Sequence, residues 1–197
     1  HQQILEGIAH HSQHDVNVVS QSPQFWKWRM RSSPFVLSQK VNAMPVPDVL
    51  FASDYLDLPS FLGFCPRLKG VPVILYMHEN QLSYPSRSPN VRDHHYAMTN
   101  VLSMLRADEI WFNSGWHRED CLQYIDPFLK MMPEGPHAWA DQIAGKSRVV
   151  YPGVACDQPP AVRVQDKPPT ILWNHRWEYD KNPERLYAAL KRLQSDE

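Results

Sequence analysis

The stretch VPVILYMHENQLSY, residues 71–84, decides how the rest of the chain is read. Its first half, residues 71–77, is a nearly continuous apolar run rich in β-branched residues and preceded by Gly70. A short run of this kind behind a turn residue predicts a buried strand, as in the middle of a parallel sheet. The run then breaks into His78, Glu79, Asn80 and Gln81 without an intervening apolar residue. Open α/β sheets bind ligands in the crevice outside the carboxyl ends of their strands. An imidazole, a carboxylate and two amides at such a place form a candidate site. The alternative is that His78 and Glu79 merely close a loop.

The chain has 197 residues, 43% of them hydrophobic, which suffices for one well-packed core or for a domain plus part of another. It starts at His1 and stops at Glu197 inside a helical pattern, so a piece cut at both ends is expected. With a net charge of −1 there is no global field toward nucleic acid or membrane. Any such partner must be met by a local patch. Cys65, Cys121 and Cys156 are odd in number, far apart and without a CxxC pair. That argues against a disulfide framework or a metal site and for reduced thiols in a cytoplasmic setting. No apolar run approaches the ~18 residues of a membrane-crossing helix, and no signal peptide is visible. Seven glycines against 18 prolines leave little from which to build phosphate-cradling glycine loops.

Taken in order, residues 2–10 carry Ile4, Leu5 and Ile8 at helical spacing, and DVNVVS, residues 15–20, alternates like a short strand. A helix and a strand with no strand before them suggest that the first strand of a βαβ unit is missing. FWKWRMR, residues 25–31, interleaves Trp26 and Trp28 with Lys27, Arg29 and Arg31. Aromatic rings can stack on bases or sugars and cations can hold phosphates. The same segment could equally be a loop whose tryptophans pack on the core. DVLFA, residues 48–52, predicts a second buried strand, followed by Ser53, Asp54 and Tyr55. Asp54 could face the crevice of His78, but a helix cap is the favoured reading.

After a polar, proline-containing loop, Met98, Val101, Leu102 and Leu105 mark a helix packed on the core. His94 and His95 at its start are adjacent and so point to different faces, which does not make a metal pair. EIWFN, residues 109–113, predicts another strand, and Ser114 the N-cap of the helix behind it. A helix N-terminus at a strand's carboxyl end is also a natural anion site. Residues 130–146 read as irregular, 148–151 as a final short strand, and the proline-rich residues 155–169 as a linker. Beyond it residues 170–173 are strand-like, and Asn182-Pro183-Glu184 starts a helix with an apolar face. The turn between them, NHRWEYDK at residues 174–181, crowds His175, Arg176 and Lys181 where a phosphate could meet cations and a helix N-terminus.

Two strand-and-helix domains joined by a proline-rich linker resemble the GT-B glycosyltransferases, which bind a nucleotide sugar between two Rossmann-like lobes. More narrowly, FWKWRMRSS, YMHENQLSYP, the FNS at residues 112–114 and WNHRWEYDKNPE resemble the glycosyltransferase-like family that includes the tRNA-queuosine α-mannosyltransferase. The resemblance covers nearly the whole chain. It implies an acceptor-side Rossmann-like lobe over residues 1–154 without its first strand, a linker over 155–169, and the beginning of a nucleotide-sugar-binding lobe over 170–197. It implies transfer of mannose, with retention, from GDP-mannose to queuosine in the anticodon of tRNA-Asp. His78 and Glu79 would act near the anomeric carbon. Arg176 and Lys181, with His175 and Ser114, would hold the donor. Trp26, Lys27, Trp28, Arg29, Asn80 and Gln81 would face the acceptor. No metal and no cofactor other than the donor is expected, and no membrane contact. The missing donor lobe makes this piece alone an unpromising catalyst.

Two other readings stand beside this one. A GT-B enzyme could act on a lipid-linked or polysaccharide acceptor, although no basic or amphipathic membrane-contact helix is evident. A binding module for RNA or carbohydrate could have lost catalysis, but such a module has no need of a diphosphate clamp.

Overall fold

In the computed structural model the described residues are 2–22, 24–84, 94–133, 138–154 and 170–195. They fall into two compact units, one up to Gly153 and one from Val154 onward. The first unit runs α1 (Gln2–His11), α2 (Trp26–Val41), β1 (Leu50–Ser53), α3 (Leu58–Gly63), β2 (Val73–Met77) and α4 (His94–Arg106). It continues through β3 (Glu109–Phe112), α5 (Gly115–Leu129), α6 (Trp139–Gly145) and β4 (Ser147–Val149). The second unit holds α7 (Pro183–Ser195), preceded by a 3-10 turn.

The four strands form one parallel sheet in the order β1-β2-β3-β4. This is the α/β, Rossmann-like lobe that the apolar run at residues 71–77 predicts. Each crossover to the next parallel strand carries at least one helix, as a parallel connection requires. On the inner side of β2 and β3, Val73, Leu75, Met77, Ile110 and Phe112 are fully buried. They share one apolar cluster with Leu58 and Phe61 of α3, Ala97, Val101 and Met104 of α4, Ile125 of α5 and Ile143 of α6. Burying a side chain of this size contributes about 1.5–3 kcal/mol, so this cluster is the main source of the unit's stability.

Two polar side chains hold the core elements together, while the buried Tyr76 hydroxyl and His117 Nε2 find no hydrogen-bond partner among the described residues. Ser103 of α4 is fully buried, accepts from the Leu58 N–H at 3.1 Å and donates to the Leu56 carbonyl at 3.0 Å. It thereby fixes the start of α3 against α4. Lys146, just before β4, donates to the carbonyls of Leu105 and Ala107 at 2.6 and 2.5 Å. Those are carbonyls that the C-terminus of α4 leaves without helical partners. Cys65 and Cys121 are buried and free, and burial pushes the Cys121 thiol up to about 12. Cys156 and the linker at residues 155–169 lie outside the described residues.

Several expectations need correction. Residues 15–20 pair with no strand, and Val18 stays exposed. Alternation needs a sheet neighbour to become a strand, and this segment has none among the described residues. Residues 170–173 likewise form no strand. FWKWRMR is neither loop nor strand but the first turns of α2, with Met30, Pro34 and Ser38 buried at i, i+4 and i+8. The stretch 130–146 contains α6, whose seven residues are too few to show a periodicity. The cap of α3 is Asp57, which accepts from the Ser60 N–H at 3.1 Å, and not Asp54. No described helix is long and apolar enough to cross a membrane.

Removing the Ser103 hydroxyl strands two buried backbone groups. Ser103→Ala should therefore destabilise the protein by about 1–3 kcal/mol in urea unfolding. Thr99→Ala, which removes a hydroxyl bonded only within α4, should change stability by no more than about 0.5 kcal/mol. Equal effects from the two would contradict the role given to Ser103.

Candidate active site

The parallel register carries two strand ends to one place. Ser53 stands opposite Tyr76, and the Asp54 N–H donates to the Tyr76 carbonyl at 3.1 Å. Residues immediately after β1 and β2 are therefore neighbours, and both leave the sheet at its carboxyl edge. His78 Nδ1 lies 3.0 and 3.1 Å from the two carboxylate oxygens of Asp54. Asp54 is 2% exposed and also accepts from the Glu79 N–H at 3.1 Å. The imidazole thus gives its Nδ1 proton to a buried carboxylate and turns Nε2 toward Glu79, whose Oε2 stands at 3.9 Å.

Glu79 is held from the other side. The Tyr55 hydroxyl donates to its Oε1 at 2.6 Å and the Gln81 amide at 3.1 Å. Both contacts fall on one oxygen, which directs the other to the histidine. Burial, then the hydrogen bond to Glu79, drives the Tyr55 hydroxyl far above its ordinary range, so it remains a donor.

The connection after His78 is tied down along its length. Buried Asn100 of α4 donates to the Asp54 carbonyl at 2.9 Å and accepts from the Gln81 N–H at 2.8 Å. Asn80 accepts from the N–H groups of Leu82 and Ser83, both at 3.0 Å, and donates to Asp120 of α5 at 3.4 Å. Asp120 also accepts from the Ser83 hydroxyl. Behind β3, Asn113 donates to the His78 carbonyl at 2.7 Å and accepts from His117 Nδ1 at 2.9 Å. These contacts fix where His78 and Glu79 point, at a rim built from three strand ends.

Burial lowers the affinity of His78 for a proton, but the hydrogen bond and charge of Asp54, helped by the charge of Glu79, raise its pKa above 6.5 overall. His117 goes the other way. Burial, reinforced by nearby His78, outweighs Asp54 and Asp120 and lowers its pKa. The Asp54–His78 pair therefore stabilises the fold fully below pH 6.5 and stops doing so as pH rises through the raised pKa. His117 contributes in the opposite sense, weakening the fold as pH falls from 6.5 through its depressed pKa.

Of the residues picked out from sequence, His78, Glu79, Asn80, Gln81 and Ser114 meet at this rim. Asn80 is buried and its side chain is committed to its own loop and Asp120. Ser114 caps α5 by accepting from the His117 N–H at 3.1 Å. Trp26 lies against the same group, with its ring 6.5 Å from Tyr55 and 5.6 Å from Tyr96. Lys27 places its ammonium 5.7 Å from the Trp26 ring centre, while Trp28 and Arg29 turn elsewhere on α2. His175, Arg176 and Lys181 belong to the second unit. There Arg176 pairs with Glu178 at 3.2 Å, Lys181 with Asp180 at 3.0 Å, and His175 packs 5.4 Å from Trp173. Tyr55, Asn100 and Asn113 are not among the site residues expected from sequence, and Asp54, for which a helix cap was the favoured reading, takes the alternative place facing His78. The one available signal was that Asp54 follows a strand as directly as His78 does. No group of three or more His, Cys, Asp or Glu able to hold a metal occurs among the described residues.

Residues 1–154 match the family described as tRNA-queuosine alpha-mannosyltransferase N-terminal. The chain is 34% identical over 201 residues to a tRNA-queuosine alpha-mannosyltransferase of Drosophila melanogaster, covering 96% of this chain and 52% of that protein. The chain thus spans about half the length of this relative. No solved structure matches. The chain belongs to the tRNA-queuosine alpha-mannosyltransferase family.

Residue-resolved NMR titration should place the His78 and His117 imidazoles on opposite sides of 6.5, His78 above and His117 below. Asp54→Asn should bring the His78 value down while His117 stays below 6.5. A His78 that titrates unchanged in Asp54→Asn would rule out the carboxylate as its partner.

Proposed function

We propose that the parent chain, as a member of this family, is a two-lobed GT-B glycosyltransferase that moves mannose from GDP-mannose to queuosine in the anticodon of tRNA-Asp with retention. The observation that carries this reading is the imidazole of His78, locked by a buried carboxylate at the carboxyl edge of a parallel sheet. Ligands of such sheets bind at that edge. A histidine fixed there by Asp54 needs no reorganisation when the transferred sugar arrives.

In the proposed transfer the bond between the anomeric carbon and the departing phosphate oxygen breaks, a bond to an acceptor hydroxyl oxygen forms on the same face, and the hydroxyl proton passes to the departing phosphate oxygen. Positive charge builds on the sugar ring and negative charge on GDP. Arg176 and Lys181 of the second unit neutralise the leaving diphosphate, with His175 beside them. The raised pKa of His78 keeps its ring protonated further toward neutral pH. Its Nε2–H then donates to a sugar oxygen and orients the anomeric carbon. Glu79 sets the outward direction of that ring and supplies negative charge next to the cationic centre. Gln81, Trp26 and Lys27 form the wall on the acceptor side. The reaction needs no metal and no cofactor beyond the nucleotide sugar, and an unanchored tRNA substrate fits a cytoplasmic location.

The decisive experiment uses the full-length parent chain. It is incubated with GDP-mannose and tRNA-Asp carrying queuosine, and the digested tRNA is examined by mass spectrometry for a hexose on that base. Transfer is expected with GDP-mannose and not with UDP-glucose, and only to queuosine-containing tRNA. His78→Ala should lower the rate by about 10²-fold or more, the range of a positioned proton donor. Hydrolysis of GDP-mannose without transfer would overturn the acceptor. A folded protein that does neither would overturn the enzyme reading and favour a binding module.

A further inference from the structure

The segment FWKWRMR does not form one surface. Its first tryptophan turns toward Tyr55 and Tyr96, whereas Trp28 and Arg29 look out on the other side of α2. There, with Phe25, Gln21, Gln24 and Lys40, they line an open cleft of about 510 Å³. The cleft is built and not incidental. Its outer wall, the segment before α2, is pinned along the helix by two contacts. Ser33 donates to the Gln21 side chain at 2.6 Å, and Lys40 donates to the Ser20 carbonyl at 2.9 Å.

Two of the aromatic rings there are unusually open. Phe25 and Trp28 are each 77% exposed. Phe25 also holds left-handed backbone angles, φ 56° and ψ 48°, at the position just before the helix. A bulky residue is strained in that region, and such strain concentrates at functional surfaces. Charge points the same way. Between Asp15 and Asp48 the sequence carries Lys27, Arg29, Arg31 and Lys40 and no carboxylate, and two of these cations, Arg29 and Lys40, line the cleft. Exposed rings beside unopposed cations and amide side chains match an unpaired nucleotide. Its base stacks on an aromatic face, its phosphate meets a guanidinium or ammonium, and its base edge meets amides.

We propose that this cleft binds an unpaired nucleotide of the acceptor RNA that flanks the reacting base, with Trp28 and Phe25 as the stacking platform and Arg29 as the phosphate contact. The inference rests on the RNA acceptor proposed above and assigns a second subsite to it. Trp26 and the His78 rim receive the reacting nucleotide, and the cleft on the far side of α2 takes a neighbour. Stacking of this kind tolerates any base, so the subsite adds affinity and register but no sequence preference.

The test measures binding of the full-length protein to a synthetic stem-loop RNA with a seven-nucleotide unmodified loop, by fluorescence anisotropy. Trp28→Ala should weaken binding about tenfold or more, and Trp28→Phe should recover most of the loss, because either ring can stack. Replacing single loop nucleotides by abasic ones should reproduce the loss at one position in wild type and add nothing in Trp28→Ala. Arg29→Gln should weaken binding and reduce its dependence on salt by about one phosphate contact. Unchanged binding in Trp28→Ala and Arg29→Gln, while wild type binds the RNA, would overturn the subsite alone. Absence of binding by folded wild-type protein would overturn the subsite, which needs no modified base, while the RNA acceptor would fall only with the transfer assay on queuosine-containing tRNA.

Discussion

The contact between Asp54 and His78 is the one on which the rest of the site depends. A carboxylate that is almost wholly buried must have its lone pairs satisfied, or its burial costs several kcal/mol. Asp54 meets that demand with the imidazole and the Glu79 N–H. The consequence runs outward from this pair. Because Nδ1 is committed inward, Nε2 must face the rim. Because the Glu79 backbone is held by the same carboxylate, the Glu79 side chain leaves the loop at a fixed point, where Tyr55 and Gln81 grip one oxygen.

This arrangement is expensive in polar groups, and the fold supplies them from every neighbouring element. Asn100 reaches in from α4, Asn113 from the end of β3, and Asp120 from α5. Asn100 and Asn113 satisfy backbone groups that a tightly turned loop would otherwise leave unpaired, and Asp120 holds the side chains of Asn80 and Ser83. A network this connected has few alternative arrangements of similar energy, which gives a rigid loop on a rigid sheet. Rigidity suits a group that must orient a sugar at the moment its anomeric bond weakens. The opposed shifts of His78 and His117, whose backbone carbonyl and ring respectively meet Asn113, follow from the same geometry. One has a carboxylate at hydrogen-bond distance, and the other has burial without one.

Helix α2 divides its work by periodicity. Met30, Pro34 and Ser38 repeat at four-residue steps and seat the helix on the core. Trp26 continues that inner stripe at its first turn and so meets Tyr55 and Tyr96. Two residues on, Trp28 lies about 200° around the helix and is carried to the opposite side. An aromatic-and-basic heptapeptide thereby faces two directions at once.

Much of this was legible in the sequence. The apolar run 71–77 fixed a buried parallel strand, because an alternating pattern would have left one face to water. The abrupt polar turn at His78 marked the rim for the same reason. Distinctive segments such as YMHENQLSYP and WNHRWEYDKNPE carried the family. Other features depended on distance through space. Asp54 lies 24 residues from His78, and only the pairing of β1 with β2 made it a partner. The strand expected at residues 15–20 needed a sheet neighbour that its own alternation could not supply. Whether FWKWRMR was loop or helix, and which ring faced which way, was decided by the buried seat that the core offers Met30 and Pro34. Sequence determines which groups are present and where the chain turns. Tertiary structure decides which of them share a carboxylate, since burial sets both the cost of that charge and the direction in which its partner points.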